Sequence, residues 1–125
     1  MEIEIGKSFT QEITVRHEDT AAVLGSGKLE VFATPALVAL MENTAIRCLE
    51  GSLDADSDTV GIEINVKHVK ATPVGRPVRC TATVAEVDGR RVRFNVEASD
   101  DVAVIGTATH DRFIVNPVKF MGKLK

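Results

Sequence analysis

The chain has no tryptophan, no tyrosine and only five phenylalanines in 125 residues. Its core must therefore be aliphatic, built from Val, Ile, Leu and Ala. It has only two cysteines, Cys48 and Cys80, each among apolar neighbours. Two such thiols make neither a disulfide framework nor a metal-ligand pattern, and they read as buried free cysteines. A catalytic cysteine needs an electropositive, accessible setting that neither position offers. No apolar run approaches a membrane span, and the opening MEIEIGKSF lacks the build of a signal peptide. Basic excess is missing too. The formal net charge is −3 and the pI about 5.6, which argues against a nucleic-acid partner. These absences predict a cytoplasmic protein with no membrane partner. The length fits one domain over residues 1–125.

What is present is patterned. KSFTQEITVR alternates as a strand does. HEDTAAVLGSGKLEVF follows, with acidic residues at its start and Gly25 and Gly27 in its middle. It reads as a helical turn, a glycine-rich loop and a short extended piece, together a candidate flap. Residues 36–50 then carry strong helix formers without internal Gly or Pro. Thr34 fits the N-cap, Pro35 the first helical position and Gly51 the stop.

Beyond a polar loop the period changes to two. Val60, Ile62, Ile64 and Val66 alternate with Gly61, Glu63, Asn65 and Lys67. Thr72 to Pro77 breaks that strand. Val78, Cys80, Ala82 and Val84 form the next apolar face. Asp88-Gly89 predicts a tight hairpin, and Val92, Phe94, Val96 and Ala98 continue beyond it. A last strand is expected from about Val102 to Val115. Tight turns imply antiparallel neighbours. One long helix against such a sheet is an α+β layer architecture and resembles a hotdog fold. Such domains pair through their sheets, so a homodimer or higher oligomer is expected.

One residue breaks the helix pattern. On a wheel of about 100° per residue, Leu37, Cys48, Met41, Ala45, Val38, Leu49 and Ile46 fill one half. Glu42 falls inside it, whereas Asn43, Arg47 and Glu50 lie opposite. None of its neighbours at three or four positions is basic. An unpaired buried carboxylate costs several kcal/mol, so Glu42 either reaches water at a rim or has a distant partner and a task. His68 shares the parity of Val60, Ile62, Ile64 and Val66. Without a bulge it faces the helix. Thr34 opens the helix, where free amides and the positive dipole end can hold a developing oxyanion. A hydroxyl, a carboxylate and an imidazole on one side suit acyl transfer or hydrolysis. His17, in a charged loop, and His110, read as lying near the exposed end of the last strand, are weaker candidates.

Three stretches carry a family resemblance: EVFATPALVALMENTAIRCL, VGIEINVKHVKATPVG and VDGRRVRFNVEASDDVAVIGTATHDRFIV. Together they resemble the fluoroacetyl-CoA thioesterase-like family of hotdog thioesterases, from Ser8 to Val115. The resemblance implies a catalytic set of Thr, Glu and His, which falls on Thr34, Glu42 and His68. It also implicates Gly61 and Arg112 at the acyl end of the substrate. The implied activity is hydrolysis of a small acyl-CoA thioester, with CoA entering as part of the substrate and no separate cofactor or metal. The stretch before the helix departs from the family. LGSGKLEVF stands where the fluoroacetyl-selective enzyme has bulky lid phenylalanines, which favours a broader small-acyl thioesterase. The CoA phosphates predict basic residues at the entrance, with Lys67, Lys70, Arg76, Arg79, Arg90, Arg91 and Arg93 as candidates. A hotdog hydratase and a non-catalytic dimeric acyl-CoA binding module are the rival readings.

Overall fold

The computed structural model describes residues 2–124. Strand β1 (Ser8–Thr14) leads through a short 3-10 turn (His17–Asp19) and α1 (Ala21–Leu24) into the long helix α2 (Thr34–Cys48). Four strands follow: β2 (Asp58–His68), β3 (Pro77–Asp88), β4 (Arg91–Asp100) and β5 (Val104–Val115). Helix α3 (Pro117–Gly122) comes last. The five strands form one sheet in the order β1-β3-β4-β5-β2, with every neighbouring pair antiparallel. Helix α2 covers one face of it.

Period-two patterning dictates which face is covered. Val78, Cys80, Ala82 and Val84 of β3 and Val92, Phe94, Val96 and Ala98 of β4 are all buried, against Leu37, Met41, Ala45 and Cys48 of α2. The Asp88-Gly89 signal does make a two-residue hairpin. Gly89 takes φ +61° and Arg90 stays negative, so only the first of the two loop residues needs the left-handed region, as in a II′ turn. The cysteines are free and buried, and burial pushes both thiols above their ordinary pKa. That suits packing and not nucleophilic attack.

Three local expectations are corrected. First, the N-cap of α2 is Ala33, which makes no side-chain cap; Thr34 is the first helical residue. Its hydroxyl is spent elsewhere, as described below.

Second, the buried arc of α2 is rotated relative to the wheel. Leu40 and Thr44 are inside, while Ile46 is 37% exposed. Thr44 is tolerated there because its hydroxyl donates to the Leu40 carbonyl at 2.7 Å. Val38, Glu42 and Ile46, spaced by four, thus form the flank of the buried arc and not its centre.

Third, β2 carries a bulge. Gly61 pairs with Arg112, but Glu63 pairs with Asp111, so Ile62 is the extra residue. Parity flips at that point. Ile62 is 54% exposed, Ile64 and Val66 pack on the core, and Gly61 turns to the helix side.

Candidate active site

The helix start and the end of β2 form one polar pair. Thr34 Oγ1 lies 2.8 Å from His68 Nδ1. The other ring nitrogen, Nε2, is buried with no hydrogen-bond partner among the described residues. The ring meets Phe32 edge-on, with centroids 6.5 Å apart. Burial lowers the His68 pKa below its ordinary value, so the ring is neutral at pH 7 and able to take a proton. A cavity of about 280 Å³ opens beside the pair, lined by Ala21, Ser26, Val31, Phe32, Ala33 and the 68–71 segment. The first turn of α2 points backbone N–H groups and the helix's positive end into this neighbourhood.

Glu42 belongs to a second cluster. Its Oε2 is 3.5 Å from Arg112 Nη1. The basic partner that no helix neighbour supplies thus comes from β5, seventy residues away. Arg112 is buried and braced. Its Nε donates to Thr59 Oγ1 at 2.8 Å and its Nη2 to the Thr59 carbonyl at 3.1 Å. His110 stands next to it, 1% exposed and stacked on Phe94, with ring centroids 6.3 Å apart. It does not lie at an exposed strand end as the sequence reading expected; it shares Arg112's parity and faces the helix.

Gly61 completes this cluster by what it lacks. A Cβ there would sit 2.6 Å from Glu42 Oε2, 3.2 Å from Arg112 Nη1 and 3.3 Å from His110 Cε1. The carboxylate occupies the space that any side chain at 61 would fill. The Glu42 side chain keeps 39% exposure, so it is held on one side and open on the other.

The two clusters do not meet within one chain. Thr34 and Glu42 are eight residues apart on α2, an axial rise of about 12 Å. Gly61 and His68 are seven apart on β2, a span of about 20 Å. The structure therefore joins Thr34 to His68, and Glu42 to Gly61 and Arg112, as two separate clusters. Strand β2, which carries a member of each, lies at the edge of the sheet with β5 as its one strand neighbour.

Most of the basic candidates are engaged. Lys70 pairs with Asp100, Arg76 with Asp101 and Arg79 with Glu12. Arg91 and Arg93 both reach Asp111, whose carboxyl Arg93 holds below its ordinary pKa. Lys67 and Arg90 make no ion pair among the described residues. Those residues hold no group of three or more His, Cys, Asp or Glu spaced for a metal. No helix among them is long and apolar enough to cross a membrane.

One long helix gripped by an antiparallel five-stranded sheet defines the hotdog class of proteins. The fold match is broad. A hot-dog-like protein from Thermanaerovibrio acidaminovorans superposes with a TM-score of 0.89 at 24% identity, covering 96% of this chain and 89% of that one. Nearer relatives narrow it. The sequence model of the family described as fluoroacetyl-CoA-specific thioesterase matches residues 15–118. The fluoroacetyl-CoA thioesterase of Streptantibioticus cattleyicolor is 35% identical, over 98% of this chain and 93% of its own length. A crystal structure of a point mutant of the fluoroacetyl-CoA-specific thioesterase FlK, in complex with fluoroacetate and CoA, gives a TM-score of 0.90. That match is 35% identical and covers 94% of this chain and 99% of that one. The chain belongs to the fluoroacetyl-CoA-specific thioesterase family.

Proposed function

We propose that this protein hydrolyses the thioester bond of small acyl-CoA substrates, and that each working site is shared by two copies of the chain. The observation that carries the shared site is the spacing of the half-sites along the edge strand. Gly61 and His68 lie symmetrically about the peptide joining Ile64 and Asn65. Two β2 strands pairing antiparallel about that point would set Gly61 of one copy opposite His68 of its partner. The exposed Ile62 and the half-exposed flank of Val38, Glu42 and Ile46 would be covered by the same pairing.

In such a site the thioester carbonyl lies between the half-sites. Amides at the start of α2 polarise its oxygen. The Arg112-held Glu42 carboxylate either takes a proton from the attacking water or attacks the carbonyl carbon itself, giving a mixed anhydride that water then opens. In both routes a C–O bond forms as the C–S bond breaks; the Thr34–His68 pair lends a proton to the leaving CoA thiolate and regains one from the water that completes hydrolysis. Gly61 leaves the carboxylate its place, and Arg112 fixes it there. CoA enters as half of the substrate, and the reaction asks for no further cofactor. Gly25, Gly27 and Lys28 in the flap favour a range of small acyl groups over fluoroacetyl alone. Two free, buried thiols fit a reducing, cytoplasmic setting.

The test is thiol release from a series of acyl-CoAs, followed by subunit mixing. Glu42→Gln and His68→Ala chains should each be inactive yet folded. Co-expressed, they should recover about a quarter of wild-type activity, because half of the dimers are mixed and each carries one intact site. No recovery in demonstrably mixed dimers would overturn the shared site. No thiol release from any acyl-CoA, with CoA binding retained, would overturn hydrolysis in favour of a binding module. Oxygen-18 from labelled water appearing in Glu42 during single turnovers would identify the anhydride route.

A further inference from the structure

His110 has no part in the reaction drawn above, yet it is among the most deeply buried polar side chains of the protein. Its two nitrogens have unlike partners. Nδ1 is 2.8 Å from the Glu63 carbonyl oxygen, which only accepts, so Nδ1 carries a proton. Nε2 is 3.1 Å from Arg112 Nη1, and a guanidinium only donates, so Nε2 is a bare lone pair. The tautomer is thereby fixed from both sides. The carboxylate Oε2 of Glu42 lies farther from Nε2, at 4.0 Å, beyond hydrogen-bond range.

Each of these bonds ends on something that places Glu42. Glu63 follows the extra residue of the β2 bulge, and that bulge is what turns Gly61 toward the helix and clears the space for the carboxylate. Arg112 Nη1 carries two hydrogens. One goes to His110 Nε2, which leaves the other aimed at Glu42 Oε2.

We propose that His110 is a positioning residue for Glu42. In its neutral Nδ1–H form it locks the bulge with one nitrogen and orients the Arg112 guanidinium with the other. This rests on the reading of Glu42 as the working carboxylate. The surroundings favour the neutral ring. Burial lowers the pKa of His110, and the Arg112 charge acts in the same direction. The bond to the Glu63 carbonyl raises it by less than burial lowers it, and Glu42 and Asp111 each raise it by less than Arg112 lowers it. Phe94, packed on it from β4, is uncharged. A proton at Nε2 would remove the acceptor for Arg112 and set two cations 3.1 Å apart.

Two variants separate the two bonds. An asparagine amide reaches about as far as Nδ1, and a glutamine amide about as far as Nε2. His110→Asn keeps a donor for Glu63 and loses the acceptor for Arg112. His110→Gln keeps the acceptor. The expected result is a fall in kcat of about tenfold to a hundredfold for His110→Asn, the range for losing a hydrogen bond to a charged group. KM should be nearly unchanged, and His110→Gln, which keeps the Arg112 acceptor but gives up the bond to the Glu63 carbonyl, should retain clearly more of the rate than His110→Asn. Equal kcat for wild type and a folded His110→Asn variant would overturn the proposal. So would a loss carried by KM, or a loss in both variants that tracks melting temperature.

The wild-type protein supplies a check that needs no variant to fold. Long-range 15N–1H couplings of the His110 ring should report Nδ1–H with a bare Nε2 at pH 7, and an Nε2–H or doubly protonated ring would overturn the proposal. Normal turnover by Glu42→Gln would also overturn it, by removing what His110 is said to position. In that case the tautomer would still be Nδ1–H, which marks the failure as one of the Glu42 reading.

Discussion

Replacing Gly61 with alanine adds one methyl group at the point where the Glu42 cluster is tightest. The new Cβ would stand 2.6 Å from Glu42 Oε2, about 0.8 Å inside the 3.4 Å at which ordinary contact begins. Something must give. Arg112 and His110, 5% and 1% exposed, are braced by Thr59 and by the Glu63 carbonyl. Glu42, with its open side, yields instead. Its link to Arg112 is already 3.5 Å long, so a displacement of that size breaks it. A misplacement near 1 Å in a catalytic group costs about a hundredfold in rate, and that loss in kcat is the expectation. Stability should move the other way or not at all. Alanine at a position with ordinary φ restricts the unfolded chain and returns about 0.4–1 kcal/mol, offsetting the local crowding. The assay is thiol release from an acyl-CoA, read alongside thermal melts of both proteins. A folded Gly61→Ala protein with wild-type kcat would refute the reasoning, since the carboxylate's position would then not matter.

Gly106→Ala should behave in the opposite sense. Its Cβ would meet Leu37 Cδ2 at 2.8 Å and the Lys67 carbonyl at 3.1 Å, so a denaturant midpoint should show a loss of about 1–3 kcal/mol from overpacking. Asp100→Asn should lower the melting temperature by several degrees. Its fully covered carboxylate accepts from Lys70, Thr72 and the Val102 and Ala103 amides and ties the segment after His68 to the β4–β5 turn. Lys70 holds the Asp100 pKa far below its ordinary value. Its contribution is therefore complete above about pH 4, is lost as pH falls below that, and the two proteins should converge in acid. His68 and His110 both have folded pKa values lowered by burial. The unfolded chain therefore takes up protons first, and stability should decline as pH drops below about 6.5, with proton uptake on unfolding measurable by calorimetry in two buffers.

The strands, the hairpin and the helix were legible because their signals are local. Val78 to Val84 and Val92 to Ala98 repeat with the pleat, and Asp88-Gly89 supplies the one turn conformation they need. Glu42 was legible as an anomaly, since no neighbour on its own helix could neutralise it. The role of Thr34 was not. Its place before Pro35 fits an N-cap equally well, and only the 2.8 Å approach of His68 shows where the hydroxyl goes. The bulge at Ile62 escaped as well. It shifts the pairing of β2 with β5 by one residue, and alternation within β2 carries no trace of a partner on β5. The burial of His110 was missed for the same reason.

By itself the sequence determined the layers of this protein, the faces that β3 and β4 turn to the helix and the short set of side chains unsuited to an aliphatic core. Periodicity, turn chemistry and the cost of an unpaired carboxylate act within a few residues and can be read there. Tertiary structure decided which of those side chains meet. Antiparallel pairing of β2 with β5 brings Arg112 and His110 to Glu42, and one extra residue in β2 turns Gly61 toward them. The rise of a helix and the span of a strand, about 12 Å and about 20 Å, keep Thr34 and His68 apart from Glu42 within one chain. Those are contacts and distances between elements, fixed only when the sheet closes on the helix.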